Sequence, residues 1–114
     1  MRFLVAVWPR YAIISSIVSR LVTPEEINKA LKKRKLLEKA LTSPKNMRFN
    51  EMVTLVEAFG FQLSRVRGSH HIFIHPQVQE LVNLQDVKGQ AKPYQIRQFL
   101  QLVERYNLQL GDES

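Results

Sequence analysis

Between residues 50 and 107 the apolar positions keep two rhythms. Met52, Leu55, Val56 and Phe59 recur at three- and four-residue steps, which predicts a helix capped by Asn50 and stopped at Gly60, where glycine can take the left-handed conformation. From Phe61 to Arg67 the step falls to two. Gly68-Ser69 reads as a tight turn, and His70 to His75 resumes the alternation until Pro76, so the two runs should form a hairpin. A third strand is expected around Leu81-Val82-Asn83-Leu84, followed by a loop at Gly89. Pro93 opens a last helix with Ile96, Phe99, Leu100, Val103 and Tyr106 at helical spacing and Asn107 as a cap. Helix, three strands and helix make an α+β αβββα arrangement: a three-stranded antiparallel sheet with two helices on one face and the other face open.

An extra helix is expected upstream. In Thr23-Pro24-Glu25-Glu26, Thr23 can cap, Pro24 suits the first helical position and Glu26 stands where a capping-box carboxylate belongs. That helix should run to about Leu41, with Ile27, Ala30, Leu31, Leu37 and Leu41 as an irregular apolar stripe, and Ser43-Pro44-Lys45-Asn46 should close it. Met1 to Val22 is apolar with scattered arginines. It imitates a secretory leader poorly, because Pro9 and Arg10 interrupt it, and neither apolar stretch reaches the roughly 20 residues that cross a bilayer. The chain therefore divides into a leader of uncertain structure (1–22), a basic helix (23–46), an αβββα domain (47–110) and a short tail (111–114), with no membrane association expected.

Charge sharpens this picture. The 114 residues carry a formal +7, which suits a polyanionic partner, since clustered cations displace counterions from phosphate. Residues 1–46 hold ten Lys and Arg against three acids, whereas residues 47–114 hold seven of each sign. Long-range attraction thus belongs to the first part, and contacts made by the second must rest on local placement. There is no cysteine, which excludes disulfides and Cys-based metal sites and fits a cytoplasmic protein.

Strand alternation sorts the His70–His75 run into two faces. Ile72 and Ile74 fall with His70, and Phe73 falls with His71 and His75. Two β-branched aliphatics suit a helix-covered core, so His71, Phe73 and His75 are expected on the open face. Metal chemistry is disfavoured: His71 and His75 would lie about 13 Å apart along a strand, and His70 would point to the opposite side. Ser69 beside a histidine makes no triad, and the dispersed glycines make no phosphate-cradling loop. No metal or cofactor is therefore expected.

What remains is imidazole beside cations and an aromatic ring, a set that suits RNA. An imidazole can move the proton when a ribose 2′-hydroxyl attacks its own phosphate. Arg67, with Lys88 and Lys92 if their loop folds back, could stabilise the phosphate, and Phe73 could stack on a base. Gly68 and Ser69, in the turn between, complete the expected RNA-contacting set. Each has a plainer reading: Phe73 as core, Arg67 as a solvated strand-end charge, the histidine as structural.

The run Arg67-Gly68-Ser69-His70-His71-Ile72-Phe73-Ile74-His75-Pro76, preceded by Ala58-Phe59-Gly60-Phe61, resembles the HicA family, the toxin half of HicA–HicB toxin–antitoxin pairs. The resemblance covers roughly Met47 to Leu108, with Lys32 to Asn46 similar to the basic lead-in of a longer subgroup. It implies a double-stranded-RNA-binding-domain-like fold, an mRNA endonuclease that inhibits translation, and a HicB-type antitoxin partner. It implies His71 as the catalytic histidine, one residue beyond Gly-Ser. A non-catalytic RNA-binding module of the same fold is the main alternative, and a DNA-binding or scaffold protein ranks below it.

Overall fold

The computed structural model describes residues 23–111, so expectations placed on the 1–22 leader and on residues 112–114 lie outside the described residues. Its elements are α1 (Pro24–Thr42), a 3₁₀ turn (Pro44–Asn46), α2 (Phe49–Ala58), β1 (Gln62–Arg67), β2 (His70–His75), β3 (Val78–Gln85) and α3 (Pro93–Arg105). The strands form one antiparallel sheet in the order β1-β2-β3, and the fold is the α+β, double-stranded-RNA-binding-domain-like arrangement with an added N-terminal helix. No described helix is long and apolar enough to cross a membrane.

Local chemistry explains where each element starts and stops. At α1 the Thr23 hydroxyl accepts the Glu26 N–H, and the Glu26 carboxylate accepts the Thr23 N–H at 2.8 Å, a complete capping box. At α2 the cap is Arg48 rather than the expected Asn50: its N–H donates to the Glu51 carboxylate at 2.9 Å, which places Asn50 inside the helix. Gly60 ends that helix at φ +96°, where a Cβ would also lie 3.0 Å from His75 Nε2. Gly68 turns the hairpin at φ +58°, and Asn107 takes φ +52° after α3.

The core lies between the sheet and the two helices that follow and precede it. Met52, Leu55, Val56 and Phe59 from α2 meet Ile96, Phe99 and Leu102 from α3 over Phe73, Val78, Val82 and Leu84 of the sheet. Phe99 packs edge-on to both Phe59 and Phe61, with ring centroids 5.6 Å apart in each pair.

The chain divides into two units between Leu31 and Lys32, inside α1. In the second unit, Ala40 is buried and Leu36 and Leu37 pack on the core, while Leu41, assigned to the apolar stripe, is exposed. With that side buried, Lys39 lies 2.9 Å from Glu51. The Arg48 N–H, then the Lys39 ammonium, hold the Glu51 carboxyl below its ordinary range. At the opposite end of the sheet the Tyr106 hydroxyl donates to Glu80 at 2.6 Å, tying α3 to β3. That bond lowers the Glu80 pKa, with help from Arg105, and raises that of Tyr106, whose pKa Arg105 by itself would lower.

Candidate active site

The β-ladder decides which face each histidine occupies, because residues directly opposite in an antiparallel pair share a side. Phe73 stands opposite Val82, and His71 opposite Leu84, both buried under the helices. The expected faces are therefore reversed. Phe73 is 1% exposed and belongs to the core, so it cannot stack on a base. His71 and His75 share its face: the His71 ring lies 4.7 Å from that of Phe49, and the His75 ring 5.0 Å from that of Phe61. The physical reason is the aromatic lining of the core, where Phe49 of α2 and Phe61 just before β1 accept flat rings from β2. Ile72 is half-buried and Ile74 is 44% exposed on the other side.

His75 has a structural setting. Its Nδ1 accepts the Gln77 N–H at 3.0 Å, and its other nitrogen abuts Gly60. His71 is half-buried, with Nδ1 3.4 Å from the Ser69 carbonyl oxygen.

His70 lies on the open face. It stands opposite Arg67 of β1 and Gln85 of β3, while Ile72 stands opposite Arg65 and Asn83. The pairing shifts between Leu63 and Arg65, and beyond that irregularity both arginines take the same side as His70. The His70 Nδ1 lies 3.2 Å from Asn83 Oδ1. An amide oxygen can only accept, so this bond puts the proton of the neutral ring on Nδ1 and leaves Nε2 as a free acceptor. An oriented imidazole with a free lone pair, flanked by two exposed guanidiniums, can abstract a proton next to an anion held by charge.

The turn is braced from behind. Ser69 Oγ accepts from Gln85 Nε2 at 3.2 Å, the Ser69 carbonyl accepts the Asp86 N–H at 2.9 Å, and the Gln85 N–H donates to Gln95 Oε1 at 2.8 Å. These bonds bring Arg67, Gly68 and Ser69 to the same end of the sheet as the loop that carries Lys88 and the start of α3 near Lys92. Asp86 Oδ1 accepts the Gly89 N–H at 2.7 Å, which fixes that loop, and Lys88 takes φ +54° within it. Lys92 extends over the Tyr94 ring. Among the described residues no three His, Asp or Glu side chains are gathered as a metal would require.

Sequence reasoning missed Arg65 and Asn83. Asn83 had a visible signal, as the lone amide in the aliphatic run Leu81-Val82-Asn83-Leu84. Arg65 had one too, since strand alternation places it two residues from Arg67 and on the same face.

A family model described as HicA toxin of bacterial toxin-antitoxin matches residues 49–104, a span that opens at α2 and closes within α3. No curated protein and no solved structure matches the chain.

Proposed function

Because the chain belongs, through residues 49–104, to the HicA toxin family of toxin–antitoxin systems, we propose that it is an endoribonuclease that cleaves mRNA on the open face of its sheet. The carrying observation is the His70–Asn83 pair on the face that also presents Arg65 and Arg67. In this reading His70 Nε2 takes the proton of a ribose 2′-hydroxyl. The 2′-oxygen then bonds to the adjacent phosphorus and the bond to the 5′-oxygen breaks. That oxygen takes a proton from solvent and leaves as a 5′-hydroxyl, and the other product ends in a 2′,3′-cyclic phosphate. The arginines stabilise charge on the phosphorane, and no metal enters any step.

His71 is the second reading. The Gly-Ser spacing of the resemblance favours it, and its half-buried ring sits beside Ser69 at the same end of the sheet. Residues 47–110 would be the catalytic domain, with residues 32–46 as its basic lead-in. A HicB-type antitoxin would act by covering the open face, where Ile74 of β2 and Leu81 of β3 are exposed apolar side chains.

The chemistry of the cut ends tests the proposal. Purified protein incubated with a defined single-stranded RNA in chelator should give 2′,3′-cyclic phosphate and 5′-hydroxyl termini. Strict magnesium dependence with 5′-phosphate termini would contradict it.

A further inference from the structure

With Phe73 in the core, the open face presents no phenylalanine, tyrosine or tryptophan ring among the described residues. The rings of Phe49, Phe59, Phe61, Phe73 and Phe99 are all buried, and Tyr106 is engaged by Glu80. Among the described residues Tyr94 is the exposed aromatic side chain, at 50%. It is the second residue of α3, and Lys92 Nζ stands 5.8 Å from its ring centroid. Its place relative to the turn is fixed by its neighbour. Gln95 is buried and accepts the Gln85 N–H, and Gln85 stands opposite His70 while its side chain holds Ser69. Two side chains thus connect the base of Tyr94 to the turn that precedes His70.

We propose that Tyr94 and Lys92 form a nucleotide subsite beside the cleavage site, where an unpaired base of the RNA stacks on the Tyr94 ring and Lys92 holds a neighbouring phosphate. The inference rests on the ribonuclease reading and adds the substrate class to it: RNA that is single-stranded next to the cut. A base stacks on an exposed ring whatever its identity, so the subsite supplies affinity with little sequence preference, and the cation beside the ring adds attraction to the backbone.

The probe is a short single-stranded RNA with 2′-O-methyl riboses throughout, which binds but has no 2′-hydroxyl to attack. Its dissociation constant is measured by fluorescence anisotropy for the parent chain, Tyr94→Phe and Tyr94→Ala, each checked for folding by circular dichroism. Tyr94→Ala should weaken binding about 5- to 100-fold, and Tyr94→Phe, which keeps the ring, should stay within about twofold of the parent. With the unmodified RNA, Tyr94→Ala should raise KM and leave kcat within a few-fold. Parent-like binding by Tyr94→Ala, or equal loss in Tyr94→Phe, would overturn the stacking subsite while leaving any observed cleavage intact. Binding that depends on the ring in a chain that never cuts the unmodified RNA would uphold the subsite and remove the nuclease reading. A parent chain that does not bind the probe would overturn the subsite.

Discussion

Phe73 fills the space between the sheet and the Phe49, Phe59, Phe61 and Phe99 rings of the core. Its truncation would leave a cavity that rigid neighbours cannot close, so Phe73→Ala should lower the unfolding free energy by about 3–5 kcal/mol, read from urea denaturation. A residue that only stacked on RNA would show no such loss, and near-parent stability in Phe73→Ala would mean that the core is misassigned. The same position shows where residue-scale reading of the sequence stopped. Alternation separated His70, Ile72 and Ile74 from His71, Phe73 and His75 correctly, because the strand period is fixed by geometry. Alternation carries no sign, however. Which set faces the core depends on what packs there, and here Phe49 at the start of α2 and Phe61 just before β1 pack on the imidazoles of His71 and His75.

The elements themselves were legible where a single local interaction sets a boundary. The Thr23–Glu26 box, Gly60, the Gly68-Ser69 turn, Pro93 and Asn107 all mark ends that the structure contains. Contacts between elements were less legible: nothing local in the sequence says that Lys39 reaches Glu51 or that Tyr106 reaches Glu80. Those ties make stability depend on pH at both ends of the scale. The Glu51 and Glu80 carboxyls are lowered on folding, so what they contribute is present above the ordinary carboxylate range and is lost as pH falls through their folded values. Tyr106 is raised on folding, so its contribution is full below its ordinary value of 10.0 and is lost as pH rises past its folded value. Melting temperature followed from pH 3 to pH 11, a range of about 8 units spanning both limbs, should therefore fall at each end. Glu51→Gln should soften only the acid limb. Glu80→Gln should soften both, because it also frees Tyr106; an unchanged alkaline limb in that variant would show that the α3–β3 tie contributes nothing.

Across the whole molecule, charge and chemistry are separated. The formal net charge of +7 comes from residues 1–46, whereas the sheet and its flanking helices, in a neutral remainder, hold Arg65, Arg67 and the histidines. The basic helix is no free arm from Lys32 onward, since Leu36, Leu37 and Ala40 pack on the core and Lys33 Nζ donates to the Gly111 carbonyl. A neutral domain can still act on RNA if its cations converge, and on the open face they flank His70. The decisive question is which side of the sheet cuts. His70→Ala and His71→Ala, each shown to be folded by circular dichroism, should be compared with the parent for cleavage of one single-stranded RNA well below their melting temperatures. His70→Ala should lose on the order of 10²–10⁴ in rate, because it removes the oriented imidazole. His71→Ala should lose stability through its contact with Phe49 and keep a rate within a few-fold of the parent. A folded His70→Ala that cuts at the parent rate, with a folded His71→Ala that is inactive, would contradict the open-face mechanism and move the chemistry to the helix side of the sheet.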